Sequence, residues 1–251
     1  MTTCFVAQIG PFCLAAADTR ISAEGSTGLP SSIWDAADLP FTTDAGHVGT
    51  IPYRFRKIRK LDRGWAVIAG SFVTGDRMLN LLSREEAASA NQASEILTRR
   101  ASEEIAVLES STSLDSAQIY TSFLLGVPAT VDRTGVWCAQ LDRTTGYTVT
   151  ELPNFAINWP LSVPTTLREE AQQAFAASLS LMPGAAGVIR AAAALIGAAR
   201  SVPDSSPIVQ IGLTWQSSPT DYQARYFHGH IDEIAGMTND EIASRWETLQ
   251  P

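Results

Sequence analysis

The 251 residues carry 18 Lys and Arg against 26 Asp and Glu, a formal net charge of −8. Nucleic acid is therefore an unfavourable partner, because its phosphates are met by Lys and Arg. Hydrophobic residues make up 45% of the chain, enough to fill a sizeable core, and the length suits one large domain or two small ones.

The chain opens "MTTCFVAQIGPFCLAAADTR". Thr3 to Ile9 has strand length, Gly10-Pro11 is a turn signal, and Phe12 to Ala17 is a second apolar run closed by Asp18-Thr19-Arg20. Strand, turn, strand is the expectation. A secretory leader would need a basic start, and no Lys or Arg precedes Arg20. Residues 23–53 are rich in Gly, Pro, Ser and Asp, with Trp34 and Phe41 as isolated aromatic anchors, and read as a long inserted loop. "FRKIRKL" (55–61) and "WAVIAG" (65–70) read as strands joined by Asp62-Arg63-Gly64.

Helical periodicity follows over about 74–88 and 92–110, then strands over about 119–126, 135–141 and 147–158. Thr166-x-x-Glu169 is a capping box opening a helix that Pro183-Gly184 breaks. An Ala-rich helix covers 185–199; with Arg190 inside it, this longest apolar stretch is too short to span a bilayer, and no membrane partner is expected. Strands are expected at 207–215 and 222–227. Thr238-x-x-Glu241 is a second capping box, followed by Ile242, Trp246 and Leu249 on one face of a terminal helix. No internal repeat is visible.

Strands bunched apart from helices indicate an α+β fold with antiparallel sheets rather than repeated βαβ units. Two helix pairs require two outer layers, and two strand groups supply two inner sheets. The expected architecture is a four-layer αββα sandwich spanning 1–251 as one domain, with 23–53 inserted and 216–251 as a C-terminal extension. Three cysteines, Cys4, Cys13 and Cys138, form no C-x-x-C pair and leave one over from any disulfide. A reducing, cytoplasmic compartment is the expectation.

Met-Thr-Thr, a hairpin ending in Asp18-x-Arg20, Lys57-Ile58 before a strand, and Ala69-Gly70-Ser71 closing the next strand resemble proteasome β-type subunits. The same residues resemble their bacterial relatives, including the Anbu-type proteins. All are N-terminal nucleophile hydrolases. The resemblance covers residues 2–22 and 55–82 best. Thr2, Asp18 and Arg20 keep the family's spacing of nucleophile, aspartate and arginine, whereas Thr3 is off by one. A one-residue slip on a strand turns a side chain to the opposite face.

The resemblance implies an N-terminal threonine peptidase or amidohydrolase. Its chemistry is coherent. A terminal threonine carries its own base, the α-amine, with a pKa near about 7.7–8.0. Met1 would have to be trimmed, with no long propeptide. Lys57 would favour the neutral amine and stabilise a developing alkoxide. Asp18 would hold Lys57, Arg20 would support the turn, and Gly70 N–H would bind the oxyanion.

By the same resemblance Ser22 would pair main chain with an extended peptide, and Ile21, Arg59, Ile68 and Phe72 would line the first specificity pocket, mostly apolar with one basic wall. Asp204 with Ser205 or Ser206 would support the amine, although Pro203-Asp204-Ser205 is also good turn chemistry. Where the family has Ser-Gly, this chain reads Asn158-Trp159-Pro160. A peptide or protein substrate and a homo-oligomeric ring are implied; an activating ATPase is unspecified. Two alternatives stand beside hydrolysis: ligation by the same nucleophile, and a non-catalytic assembly subunit.

His228-Gly229-His230 with Asp232 and Glu233 would bind a metal only on a strand edge with a further ligand, and a solvated turn is the simpler reading. Cys4 and Cys13 read as core. The chain has no G-x-S-x-G, P-loop or dinucleotide-binding glycine pattern, and no cofactor or metal is expected.

Overall fold

The computed structural model describes residues 3–10, 12–18, 39–42, 48–51, 57–70, 72–111, 121–127, 137–152, 154–159, 163–181, 184–198, 208–218, 221–245 and 247–248. Strands β1 (Cys4–Ile9) and β2 (Phe12–Asp18) form the expected hairpin, in register from Cys4↔Ala17 to Ile9↔Phe12. Gly10 has φ 56°, a left-handed turn conformation that glycine adopts without steric cost.

The hairpin is the centre of a six-stranded antiparallel sheet. On one side β1 pairs with β10 (Phe155–Asn158). On the other, β2 pairs with β11 (Ile208–Ser218), which pairs with β12 (Asp221–His230), which pairs with β13 (Glu247–Thr248). A five-stranded sheet runs β5 (Ile58–Leu61), β6 (Gly64–Gly70), β7 (Thr121–Val127), β8 (Trp137–Asp142), β9 (Thr150–Leu152), also antiparallel. Helices α1 (Phe72–Arg84) and α2 (Ala90–Ser111) cover this second sheet, and α3 (Thr165–Leu181) and α4 (Ala185–Ala198) cover the first.

The period-two alternation of each strand divides the core into three apolar layers. Cys4 and Val6 of β1 and Ala15 and Ala17 of β2 meet Trp65, Val67 and Ala69 of β6 between the sheets. Phe5, Ala7, Leu14 and Ala16, on the alternate face, pack against α3 and α4. Ala66 and Ile68 turn the other way, against Leu79 and Leu82 of α1. The result is the four-layer αββα sandwich.

Several segments differ from their sequence expectation. Within 23–53, expected as loop, β3 (Leu39–Thr42) and β4 (Val48–Ile51) pair as a two-stranded ladder. The strand expected over 147–158 is split: β9 belongs to the second sheet and β10 to the first, so this segment crosses the sandwich. The third helix begins at Thr165, with Arg168 N–H on Pro164 O, one residue ahead of the box at Thr166. The Thr238–Glu241 box forms in full and opens a short helix, α6 (Asn239–Ser244). The expected terminal helix stops there, because Glu247–Thr248 pairs with β12; Trp246 and Leu249 lie outside the described residues. The strand expected at 222–227 is longer, β12 over Asp221–His230, and belongs to the six-stranded sheet.

Gly212 of β11 sets the separation of the sheets. A Cβ there would lie 2.5 Å from ring carbons of Trp65, which is 1% exposed. Gly212→Ala should cost about 1–3 kcal/mol, the usual range for overpacking a filled core. Urea denaturation measures it, and Gly212→Ala/Trp65→Leu should recover part of the loss. An unchanged midpoint for Gly212→Ala would contradict this packing.

Candidate active site

The open end of the β1–β2 hairpin carries a buried charge. Thr3 and Asp18 exchange hydrogen bonds: Asp18 N–H donates to Thr3 O at 3.0 Å, and Thr3 N–H donates to Asp18 Oδ2 at 2.7 Å. The other carboxylate oxygen, Oδ1, accepts from Lys57 Nζ at 3.1 Å. The Asp18 and Lys57 side chains are 0% and 3% exposed, so the pair is removed from water. The nitrogen that Asp18 binds belongs to the peptide bond joining Thr2 to Thr3. A carboxylate 39 positions away from its lysine therefore grips the main chain one residue after Thr2.

Lys57 owes its place to β-ladder register. Ile58 pairs with Val67, which puts Lys57 opposite Ile68, and Ile68 N–H donates to Lys57 O at 3.1 Å. Its own N–H turns to the other sheet and donates to Gln210 Oε1 at 2.9 Å. Gln210, 1% exposed, lies on β11 opposite Ala17, the neighbour of Asp18. Sequence reasoning missed Gln210. Its signal is a single long polar side chain in the apolar run "PIVQIGLTW".

Cys4 adjoins the pair and donates from Sγ to Ile68 O at 3.7 Å. Burial pushes its thiol up to about 12, and the Asp18 carboxylate adds to that, against the opposing pull of Lys57. The thiol is therefore a protonated core group and not a nucleophile.

Gly70 ends β6 opposite Thr121. Ile68 N–H points toward β5, and the two-residue repeat of a strand aims Gly70 N–H toward the same edge, on the side of Lys57.

Two expected pocket residues sit elsewhere. Ile68 faces α1 and packs under Gly75, where a Cβ would lie 3.0 Å from its methyl carbons. Arg59 is bound to α1: its guanidinium donates to Asp76 Oδ1 at 2.6 Å and to Asn80 Oδ1 at 3.1 Å. Asn80 Nδ2 in turn donates to Asp76 Oδ2 at 3.0 Å. Burial raises the Asp76 carboxyl above its ordinary range, with Arg59 pulling the other way. The expected basic wall is thus an ion-paired strut between β5 and α1, since a half-buried guanidinium finds a planar acceptor next to it.

Thr2, Arg20, Ile21, Ser22, Asp204, Ser205 and Ser206 lie outside the described residues, as does the side chain of Phe72. His228 and His230 stand on β12 rather than in a turn. His230 caps the short helix α5 (Ile231–Gly236), accepting from Asp232 N–H at 3.3 Å. Among the described residues no group of three His, Cys, Asp or Glu is arranged to hold a metal. No helix among them is long and apolar enough to cross a membrane.

No family model and no curated protein matches the chain. Solved structures do. The Anbu (ancestral β-subunit) protein of Yersinia bercovieri superposes with a TM-score of 0.54 at 14% identity, over 96% of this chain and 95% of that one. Anbu from Hyphomicrobium sp. strain MC1 gives 0.56 at 11% identity, over 99% and 100%. Its Gly-1 mutant gives 0.54 at 11%, over 97% of each. The fold is the proteasome-like N-terminal nucleophile fold of these Anbu neighbours.

The Cys4 thiol makes stability fall at alkaline pH. The unfolded chain loses this proton from about its ordinary value of 9.0, while the folded one keeps it to about 12. Through that window the unfolded state binds fewer protons, so stability drops as pH rises. In Cys4→Ala, urea midpoints followed from pH 9.0 upward should decline less steeply than in wild type. Equal slopes would contradict the assignment of this burden to Cys4.

Proposed function

We propose that this chain is an N-terminal threonine hydrolase of peptide or amide bonds, with Thr2 as nucleophile. The observation that carries the reading is the buried Lys57–Asp18 pair, hydrogen-bonded to the peptide nitrogen that follows Thr2. The fold shared with the Anbu structures supports it.

In this reading Met1 is removed and the freed α-amine takes the proton of Thr2 Oγ1. The oxygen attacks the substrate carbonyl carbon, and the tetrahedral oxyanion accepts from Gly70 N–H. Collapse breaks the C–N bond, and the leaving amine takes the proton held by the α-ammonium. Water, deprotonated by the same amine, then attacks the ester and releases Thr2. An incoming amine in place of that water would give ligation. The Lys57 ammonium favours the neutral terminal amine and offsets charge on the attacking oxygen. Asp18 orients it. The nearest described thiol, Cys4, is held as a neutral donor and does not compete as a nucleophile in this reading.

Arg20 would brace the hairpin exit, Asp204 and Ser205 would support the amine, and Ser22 would pair with an extended substrate. Ile21 and Phe72 would line an apolar pocket, because the Arg59 charge is already spent on Asp76. We place the protein in the cytoplasm, as a homo-oligomeric ring acting on peptides or proteins.

One observation favours a non-catalytic assembly subunit. At the position of the family's Ser-Gly, β10 ends at Asn158 opposite Cys4, and Trp159 packs, like Leu167, against Val163. In this second reading the Trp159 indole takes the place of the small polar groups that would support a terminal amine.

A peptide epoxyketone separates the two readings, because its addition needs a free amine and a hydroxyl on one residue. Intact-mass analysis should find Met1 absent and one adduct per chain. Thr2→Ala should give none, and Lys57→Met should react slower by about a hundredfold or more. Retained Met1 with no adduct would support the inert subunit.

A further inference from the structure

We infer that Gln210 is a positioning residue for Lys57: it fixes the lysine's main chain across the sandwich and so sets where the ammonium is presented. This rests on the hydrolase reading for its catalytic consequence, though the geometry stands apart from it.

Lys57 is held at three points by three different strands. Its carbonyl accepts from Ile68 N–H of β6, in its own sheet. Its ammonium donates to Asp18 at the end of β2, in the other sheet. Its N–H donates to Gln210 Oε1 of β11, also in the other sheet. Asp18 and Ala17 are paired with Val209 and Gln210, so the second and third points are neighbours on one ladder. The contacts close a ring: Lys57 side chain, Asp18, the β2–β11 ladder, Gln210, Lys57 main chain.

A lysine side chain has four rotatable carbons and reaches a carboxylate from many backbone positions. With the backbone tied as well, that freedom is removed. Because a main-chain N–H only donates, the amide of Gln210 must present its oxygen here. In this scheme Gln210 acts through Lys57.

Gln210→Met keeps length and volume but has no such acceptor. Gln210→Glu keeps an acceptor at the same reach and adds negative charge. In Gln210→Met the limiting rate of epoxyketone addition should fall between about tenfold and a hundredfold, the scale of a small misplacement of a reacting group, with half-saturation unchanged. Gln210→Glu should recover most of that rate. Its pH midpoint should move up, because added negative charge favours the protonated amine.

A second readout does not depend on turnover. The ¹⁵N-resolved ammonium signal of Lys57, assigned by its loss in Lys57→Met, should exchange with water faster in Gln210→Met, and Gln210→Glu should restore its protection. Should Gln210→Met fail to fold, Gln210→Asn, too short to reach, carries the same expectation. Unchanged Lys57 exchange in a folded Gln210 variant lacking the contact would overturn the positioning role. If wild type forms no adduct, the hydrolase reading fails, and the exchange measurement alone decides for or against Gln210.

Discussion

A lysine and an aspartate from opposite inner sheets are closed on each other in the dry middle of the sandwich, and much of the architecture serves that contact. Taking each ion out of water costs several kcal/mol, recovered only if the remaining hydrogen-bonding capacity is used. Both carboxylate oxygens of Asp18 are used in this way. One carboxylate oxygen of Asp18 takes the ammonium and the other takes Thr3 N–H. Lys57 engages both sheets through its main chain. Removing either charge would strand its partner, which typically costs about 3–5 kcal/mol. A purely structural role could be filled more cheaply by apolar side chains of similar volume. The pair sits next to the Thr2–Thr3 peptide bond, and the proposed chemistry starts from that placement.

The contact requires the sheets to approach closely, and the residue sizes permit it. The inner face of β2 offers Cys13, Ala15 and Ala17, and β11 offers Gly212, so the large Trp65 and Tyr226 fill the space between the sheets. Small residues on the hairpin thus meet bulk from the neighbouring strands. The same burial that encloses the pair keeps the adjacent Cys4 thiol protonated. The Arg59–Asp76 strut leaves the neighbouring cation engaged with α1.

The fold is largely legible in the sequence for local reasons, and the ion pair through the resemblance. The hairpin follows from its apolar runs around Gly10, and the layer count follows from the grouping of strands and helices. Asp18 and Lys57 were found by resemblance and spacing, which carry chemistry that composition does not. Failures came where tertiary pairing overrules local pattern. Residues 147–158 read as one strand, yet the partners on offer, β8 and β1, lie in different sheets. The sequence pattern puts Trp246 and Leu249 on a helical face with Ile242, but Glu247–Thr248 pairs with β12. The resemblance puts Ile68 and Arg59 in a pocket, whereas strand alternation sends both to α1. Gln210 could be noticed as an odd polar residue, but its partner is 153 positions away and no spacing rule reaches it.

If the Lys57–Asp18 pair organises a terminal threonine for attack on a carbonyl, a peptide boronic acid should be captured there. A crystal structure of the treated protein should then show a tetrahedral boron bonded to Thr2 Oγ1, one boron oxygen on Gly70 N–H, and Lys57 Nζ within hydrogen-bond reach of Thr2 Oγ1. A terminus lying away from Lys57, or a boronate bound without a bond to Thr2, would contradict it.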